Sequence, residues 1–315
     1  MNRPPFIQAR RRMGTLFEIR LWMDDREAAQ TAASAAFDEI ARLERLFTRF
    51  DPDSEVRQLE RTAGAPAQVS SDLWAVMEIA LAAARLSGGA FDPTTGALSR
   101  LWDRAEADQR LPDDAELLQA LDRTGWEKIR TDPARRTIRF MAPELALDLG
   151  GVGKGYAVDR AAALLQAWGI PRGWVDAGGN FKAFGFGDAS MIGVEDPLNP
   201  DRLWGRIPML LPAVASSSSH LRRRRIGGRP LGHVCDPRTG LPIPDEGGTT
   251  VLSESAAWAD ACSTALLVAG EEFLEQLDDA RTVGLVIRGD RFAATGKLRP
   301  LVTQWEPEKE ASAWI

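Results

Sequence analysis

Residues 148–159 read Asp-Leu-Gly-Gly-Val-Gly-Lys-Gly-Tyr-Ala-Val-Asp. Two short strands are predicted over 137–149, and a helix is predicted to follow the glycines and to end at Gly169 and Pro171. Glycines let backbone N–H groups approach a phosphate, the start of a helix favours an anion, and Lys154 adds a positive charge. The spacing matches neither a Walker A loop nor GxGxxG. The loop is therefore compatible with a phosphate site and equally with a tight strand-to-helix turn that binds nothing.

A second predicted helix, Ser255–Ala269, carries Asp260 and Thr264 four residues apart. That spacing places a carboxylate and a hydroxyl side by side on one helix face. Two hard oxygen ligands suit Mg2+. The alternative is that Asp260 stabilises the helix dipole in an early turn while Thr264 serves packing.

One of the two histidines, His233, precedes the turn-forming segment 235–240. A positioned imidazole with a pKa near neutrality is suited to act as general base for a hydroxyl nucleophile. A lone histidine also commonly has a structural role, so this candidate stays open at the level of the residues. His220, after four serines, is predicted to be an ordinary surface residue.

The rest of the chain mixes strands and helices without strict βαβ alternation, which predicts an α+β protein. A strand holding Leu16, Ile19 and Leu21 precedes a long alanine-rich helix, and a second helix starts near Ser70 and stops at Gly88-Gly89. Hairpins are predicted over 174–187 and 283–294. We predict one catalytic domain of two lobes over 13–305, between an N-terminal tail at 1–12 and a C-terminal tail at 306–315.

Composition narrows the classes of function. The 315 residues include 44% hydrophobic and 27% charged residues with a net charge of -6, as in an ordinary globular protein, and no affinity for nucleic acid follows. The arginines at 222–225 are predicted to form a solvated loop, and two cysteines without CxxC spacing indicate no disulfide framework. Residues 1–12 hold no apolar segment, so we expect no stable membrane anchor and a cytoplasmic location as written, or a periplasmic one if the start is truncated.

Seven motifs occur in order over about residues 13–268, and together they resemble the ApbE-type family of FAD:protein FMN transferases. The segment at 148–159 is nearly unaltered from the family pattern. The seven blocks are Met13-Gly14-Thr15, Phe50 to Glu55, Gly89 to Thr94, Asp148 to Asp159, Ala177-Gly178-Gly179-Asn180, His233 to Gly240, and Ala259-Asp260 with Thr264.

The resemblance implies a two-lobed α+β fold, T-fold-like in architecture, with FAD in a cleft between the lobes. It implies that FAD is the substrate, that Mg2+ is the cofactor, and that a threonine or serine of a target protein receives FMN while AMP leaves. His233 matches the histidine thought to assist the nucleophile. The metal ligands match Asp260, Thr264 and the main-chain oxygen of Gly151. The positions that hold the flavin nucleotide match Met13, Phe50, Ala90, Phe91, Asp92, Asp148, Lys154 and Val234.

Three departures from the family pattern stand out. Ala215-Ser216-Ser217-Ser218 replaces Ala-Thr-Ser-Gly and loses the freedom of the glycine, Asn180 replaces an aspartate, and Phe50 replaces a tyrosine. Two alternatives to transfer therefore remain: a metal-dependent FAD pyrophosphatase that releases FMN and AMP, and a flavin-binding carrier without turnover.

Overall fold

The computed structural model describes residues 4–62, 64–186, 190–218, 223–244, 247–277, 281–289 and 291–304. The strands in chain order are β1 Phe6–Arg12, β2 Thr15–Leu21, β3 Ala67–Gln68, β4 Ile129–Asp132, β5 Thr137–Phe140, β6 Gly173–Asp176, β7 Asn180–Phe184, β8 Met191–Asp196, β9 Asn199–Pro208, β10 Ala213–Ser218, β11 Arg223–Ile226, β12 Arg229–Gly232, β13 Gly247–Ser253, β14 Thr282–Arg288, β15 Arg291–Ala294 and β16 Thr303–Gln304. The α-helices are α1 Arg26–Phe47, α2 Glu55–Glu60, α3 Ser71–Leu86, α4 Gly96–Asp108, α5 Asp114–Asp122, α6 Gly153–Ala167, α7 Ala256–Ala269 and α8 Leu274–Leu277.

An antiparallel sheet forms the centre of the described chain, with eight strands in the order β1-β2-β6-β7-β10-β13-β14-β15. Every residue of β13 is buried, as expected of a strand covered on both faces. Helices α1, α6 and α7 pack together on one face. Smaller sheets have the orders β16-β9-β8, β3-β5-β4 and β11-β12. The predicted α+β class is confirmed.

Two apolar cores lie on opposite faces of the central sheet. The larger one joins the sheet to the helices, and it contains the α1 face that includes Phe37, Ile40 and Leu43. The smaller one lies under β8 and β9 and includes Ile207 and Leu285. Burial of this apolar surface is the main force that holds helices and strands in register.

A third, small core ties α4 to the β11–β12 hairpin through Trp102, Ala105 and Ile226. The indole Nε1 of Trp102 also donates a hydrogen bond of 2.8 Å to the carbonyl of Gly240. Residues of α4 and β11 line a cleft together with residues of α6 and α7.

The N-terminal tail predicted at 1–12 is wrong for Phe6–Arg12, which form β1 and pair with β2 over their whole length. The sequence did not predict this strand because its inward face carries polar residues. One of them is Arg10, whose guanidinium carbon lies 4.8 Å from the centre of the Phe37 ring. The guanidinium thus lies over an aromatic ring where an apolar side chain would be expected. The tail predicted at 306–315 lies outside the described residues, and the remaining domain limits stay predictions.

Two other local predictions need correction. Only Thr137–Phe140 of the segment 137–149 forms a strand. The backbone that follows makes its hydrogen bonds to groups other than a neighbouring strand. Leu147 N donates to a carboxylate oxygen of Glu60 at 2.9 Å, and Asp148 N donates to the carbonyl oxygen of Pro93 at 2.8 Å. The predicted solvated loop at 222–225 is largely the strand β11. Arg222 and His220 lie outside the described residues.

The helices 71–86, 153–167 and 256–269 and the hairpins formed by β6–β7 and β14–β15 confirm the corresponding predictions. Among the described residues, no helix combines the length and the apolar character needed to span a bilayer.

Candidate active site

The described residues enclose a cleft of about 670 Å3. A volume of this size is typical of sites for small molecules and cofactors. Segments far apart in the chain form its walls, from the β1–β2 turn to α7. All the candidate residues predicted from the sequence line this one cleft: Met13, Phe50, Ala90, Phe91, Asp92, Asp148, Gly151, Lys154, His233, Val234, Asp260 and Thr264.

The glycine-rich loop is held in shape by Asp148. One of its carboxylate oxygens accepts a hydrogen bond from Gly150 N at 3.0 Å, and the other accepts from Ser99 Oγ at 2.7 Å and lies 3.3 Å from Arg49 Nε. The carboxylate therefore links the loop to α4 and to the end of α1. These contacts give Asp148 the task of shaping the loop.

Helix α6 begins at Gly153 directly beside the start of α7. A Cβ placed on Gly155 would lie 2.2 Å from the carbonyl oxygen of Ala256, a distance that no side chain tolerates. The glycine is thus required for the close approach of the two helices. This approach carries the loop 148–155 to the helix face that holds Asp260 and Thr264.

Asp260 and the glycine-rich loop meet at the bottom of the cleft. Asp260 Oδ2 accepts a hydrogen bond from Gly155 N at 3.1 Å and lies 3.5 Å from Lys154 Nζ. Lys154 also donates to the carbonyl oxygen of Gly150. A Cβ placed on Gly151 would lie 3.1 Å from Thr264 Oγ1, so the loop touches both predicted α7 ligands.

Burial dominates the electrostatics of Asp260. Only 3% of the residue is exposed, and the loss of hydration raises the pKa of its carboxyl group, against the charge of Lys154 and the hydrogen bond from Gly155 N. The Lys154 ammonium thus supplies the positive charge beside this buried carboxylate.

Asn180 is a residue of the cleft that the sequence analysis treated only as a departure from the family pattern. It begins β7, is 2% exposed, and its side chain hydrogen-bonds to Asp260. Its Oδ1 is buried and accepts no hydrogen bond from any described residue. A buried acceptor without a donor is costly, so this oxygen is available to a ligand of the cleft. Its position after Gly178-Gly179 was the one signal in the sequence.

The residues predicted to hold the flavin line the other parts of the cleft. Phe50 is 78% exposed, with the guanidinium carbon of Arg49 4.3 Å from the centre of its ring. An exposed aromatic ring in a cleft wall is suited to stacking on a planar ligand. Met13 has a φ of 48° and donates its N–H to a carboxylate oxygen of Glu44 at 2.5 Å, which fixes the β1–β2 turn.

The segment Ala90 to Asp92 is buried beneath this region, and the Asp92 carboxylate holds a turn. It accepts from Thr94 N at 2.7 Å, from Thr94 Oγ1 at 2.6 Å and from Trp126 N at 2.9 Å. Burial raises the pKa of this carboxyl group despite those donors. The structure thus gives Asp92 partners within the fold, beside the predicted contact with the nucleotide.

His233 and Val234 lie in the segment that follows β12. The carbonyl oxygen of His233 accepts a hydrogen bond of 2.8 Å from Arg224 Nη1, so the backbone of this residue is fixed independently of its imidazole. Val234 is held by a hydrogen bond from Ile243 N to its carbonyl oxygen at 3.0 Å. Both side chains line the cleft.

An ion-pair bridge that the sequence did not indicate connects the wall that carries Phe50 with the wall that carries His233. Asp103 on α4 accepts from Arg49 Nη2 at 2.7 Å and from Arg224 Nη2 at 2.9 Å. Burial raises the pKa of the Asp103 carboxyl, but the two guanidiniums outweigh it and hold that pKa below the usual value. Asp103 thereby joins the segment of Phe50 to that of His233, across residues more than a hundred positions apart.

We expect Asp103→Asn to weaken FAD binding by about tenfold, because an amide cannot hold two guanidiniums and the two walls then lose their common anchor. Fluorescence titration with FAD measures the dissociation constant. Asp108→Asn, at the end of the same helix and exposed, is the matched control. An unchanged dissociation constant in Asp103→Asn would contradict a positioning role.

The Cys235 thiol also lines the cleft, and burial raises its pKa to about 12. Because the thiolate is the reactive form, we expect iodoacetamide to label Cys235 slowly at neutral pH and faster as the pH rises toward 12. Mass spectrometry of the peptide gives the rate. Rapid labelling of the folded protein at pH 7 would show that the thiol is not shielded in this way.

The serines that replace the family's Thr-Ser-Gly lie in β10, in regular pairing with β13, where Ser218 faces Gly248. Ser217 Oγ lies 2.8 Å from Ser263 Oγ, and both Ser217 and Ser218 line the cleft. The strand conformation needs no glycine at position 218.

These features define an α+β protein with a nucleotide-sized cleft, in which a glycine-rich loop meets a buried carboxylate and a lysine. The chain belongs to the ApbE family, whose family model matches residues 13–286, and the resemblance inferred from the seven motifs is confirmed. The FAD:protein FMN transferase of Treponema pallidum is 30% identical over 285 residues, which cover 82% of this chain and 77% of the relative. The enzyme of the same name from Vibrio cholerae is 30% identical over 275 residues, covering 82% and 80%.

Solved structures share the fold over nearly the whole chain. The ApbE protein of Thermotoga maritima superposes with a TM-score of 0.85 at 26% identity, covering 96% of this chain and all of the other. The flavin transferase ApbE of Vibrio cholerae superposes with a TM-score of 0.79 at 26% identity, covering 94% and 99%.

Proposed function

We propose that this protein is an FAD:protein FMN transferase, which moves the FMN half of FAD to a threonine or serine hydroxyl of a target protein and releases AMP. The observation that carries the proposal is the convergence of the loop 148–155 with Asp260 and Thr264 in one cleft. The names of the curated relatives support the same activity.

The reaction exchanges one phosphorus–oxygen bond for another. The target hydroxyl attacks the phosphorus of the FMN half, the diphosphate bond breaks, and AMP leaves with the bridging oxygen. The imidazole of His233 takes the proton of the attacking hydroxyl. Lys154 supplies positive charge to the diphosphate, whose negative charge grows on the leaving AMP.

The donor set at the bottom of the cleft fits Mg2+. Asp260, Thr264 and the carbonyl of Gly151 would hold the cation, and all of them offer the oxygen ligands that Mg2+ prefers. The unused Oδ1 of Asn180 adds a further oxygen beside Asp260. When bound, Mg2+ would neutralise charge on the diphosphate oxygens.

This set holds a single carboxylate, and among the described residues no three His, Cys, Asp or Glu side chains group as a metal cluster. A cation held by so few charged ligands depends on the substrate for part of its coordination. We therefore propose that Mg2+ binds together with FAD rather than before it.

The flavin end of FAD occupies the part of the cleft bounded by Phe50, Met13 and the segment Ala90 to Asp92. Phe50 offers an exposed ring for the isoalloxazine, and Arg49 fixes that ring from one side. Val234 and Lys154 contact the remainder of the nucleotide. The cleft therefore provides an apolar wall and a charged floor, as FAD requires.

The decisive experiment incubates the purified protein with FAD, MgCl2 and a candidate target protein that bears a flavinylation threonine. Covalent flavin on the target, seen by mass spectrometry, together with AMP in equal amount, is the expected result. Release of AMP and free FMN without a labelled target would indicate an FAD pyrophosphatase. Intact FAD bound to the protein would indicate a carrier, and either outcome would overturn the transferase.

A matched control replaces the acceptor threonine of the target with alanine. Label on the wild-type target and none on this variant shows that the hydroxyl is the acceptor. Omission of MgCl2 in the presence of EDTA tests the cation separately, since turnover that persists there would contradict the Mg2+ proposal and leave the transferase intact.

A further inference from the structure

Helix α4 separates the cleft described above, which we call the flavin cleft, from a second cavity. Ser99 and Asp103 line the cleft on one side of the helix, whereas Arg100 and Arg104 line a cavity of about 480 Å3 on the other. Residues of α2 and α5 complete this second cavity, which we call the arginine cavity. None of the residues assigned above to FAD, Mg2+ or the target hydroxyl lines it.

The arginine cavity has a surplus of positive charge. Five arginines and three glutamates line it, although the whole chain has a net charge of -6. The arginines are Arg57, Arg61, Arg100, Arg104 and Arg123. A local excess of guanidinium groups in an acidic protein is a focused site for anions rather than a general attraction.

The three glutamates already have partners. Glu60 pairs with Arg57 and accepts Leu147 N at 2.9 Å. Glu144 pairs with Arg123. Glu116 pairs with Arg110, outside the cavity, at 2.7 Å and accepts Asp113 N at 2.9 Å. Glu60 and Glu144 are thus paired with two of the five cavity arginines, and Glu116 is paired with an arginine outside the cavity.

Three of the five cavity arginines have no acidic group closer than 4.0 Å to their guanidinium among the described residues. The guanidinium of Arg61 forms no ion pair or hydrogen bond with any part of the chain that the structure describes. That of Arg104 forms none either, although its charge acts on Glu116, and Arg100 reaches only Glu60, at 4.0 Å. Arg100 is half-exposed, and its partial burial lowers the pKa of its guanidinium, which those of Arg57, Arg49 and Arg123 lower further against the charge of Glu60. A bound anion would remove this repulsion.

We propose that the arginine cavity binds a small diphosphate compound at a site separate from the flavin cleft. Each guanidinium presents a planar fork of donors that matches phosphate oxygens, and a diphosphate has enough oxygens for Arg61, Arg100 and Arg104 together. The volume admits a ligand larger than a single phosphate.

Isothermal titration with inorganic pyrophosphate, in EDTA and at low ionic strength, tests the site without a metal. We expect the double variant Arg100→Gln/Arg104→Gln to bind pyrophosphate at least about tenfold more weakly than wild type, because two charge-assisted contacts are lost. Arg61→Gln, on another wall of the cavity, should weaken binding in the same direction. Affinity should also fall as salt is added, since the attraction is electrostatic.

Two controls locate the bound pyrophosphate. Arg85→Gln replaces an exposed arginine of α3 outside the cavity and should leave the affinity unchanged. Lys154→Gln removes the positive charge that the flavin cleft offers to a diphosphate, so pyrophosphate binding that persists in this variant and is lost in Arg100→Gln/Arg104→Gln belongs to the arginine cavity. Thermal unfolding checks that the arginine variants remain folded, as expected for side chains at an exposed surface.

Either of two results would overturn the proposal. Wild-type protein that binds no pyrophosphate at millimolar concentration has no such site. Binding that disappears in Lys154→Gln and survives in the arginine variants would place the pyrophosphate in the flavin cleft.

Discussion

Asp260→Asn is expected to reduce Mg2+-dependent release of AMP by on the order of a thousandfold or more, the scale associated with loss of the main electrostatic stabilisation in an active site. The substitution keeps the size of the side chain and an acceptor oxygen for Gly155 N, which now donates to Asp260 at 3.1 Å. It removes the one carboxylate of the proposed metal ligands. AMP formation, followed by chromatography at several MgCl2 concentrations, measures the effect.

The control for this substitution must separate lost chemistry from lost structure. Asp260→Ala would leave the buried Gly155 N without its acceptor, at a cost of about 1–3 kcal/mol in the free energy of unfolding. Asp260→Asn avoids most of that cost, so its thermal unfolding should stay near that of wild type. Asp108→Asn, remote from the cleft floor, should keep full activity. Full activity in Asp260→Asn would refute the metal role.

His233→Ala is expected to lower the rate of FMN transfer by about 10²- to 10⁴-fold, the usual contribution of a general base, with FAD still bound. The structure explains why FMN transfer should be lost while FAD binding is kept. Arg224 donates to the carbonyl oxygen of His233 and not to its ring, so truncation of the side chain leaves the Arg224–Asp103 bridge in place. The wall that carries Val234 should keep its position.

Two measurements on the same sample check this expectation: FAD affinity by fluorescence titration, and covalent label on the target by mass spectrometry. Loss of FAD binding in His233→Ala would show that the imidazole is structural. Normal transfer by the variant would assign the proton to another acceptor. His233→Gln, which keeps a polar side chain but no base of suitable pKa, should behave as the alanine variant does.

Asp260 and Lys154 affect each other's electrostatics because they lie side by side in the cleft. The buried carboxylate has a raised pKa, and Lys154 at 3.5 Å opposes the effect of burial. Asn180 lies next to this pair. Its side chain hydrogen-bonds to Asp260, and its Oδ1 accepts no hydrogen bond from any described residue. A cation or a diphosphate that enters the cleft therefore meets donors and acceptors already fixed by the fold.

Several elements were predictable from local sequence because their signals are local. The glycines at 150–155 and the helix after them follow from turn chemistry, and Asp260 and Thr264 share a face because a helix repeats every 3.6 residues. Ser255 caps α7 through a hydrogen bond from Trp258 N at 3.2 Å, as a serine before a helix predicts. The family motifs added the predicted flavin and metal positions, which single residues could not supply.

Other predictions failed where tertiary contacts replaced local rules. β1 was missed because a charged residue, Arg10, lies with its guanidinium over the Phe37 ring, which removes the apolar alternation expected of a strand. Residues 141–149 satisfy their backbone through Glu60 and Pro93 instead of a neighbouring strand. Arg224 of β11 was interpreted as solvated because its partner, Asp103, is 121 positions away along the chain.

The sequence by itself determined the glycine-rich loop, the Asp-x-x-x-Thr helix and membership of the family, since each depends on residues close together in the chain or on motifs in a fixed order. Only the tertiary structure decided that α6 and α7 meet at Gly155 and Ala256, that Asn180 keeps an unused oxygen, that Asp103 joins two walls, and that α4 has an arginine cavity behind it. The physical reason is that burial and packing bring together groups whose separation along the chain carries no information about their distance in space.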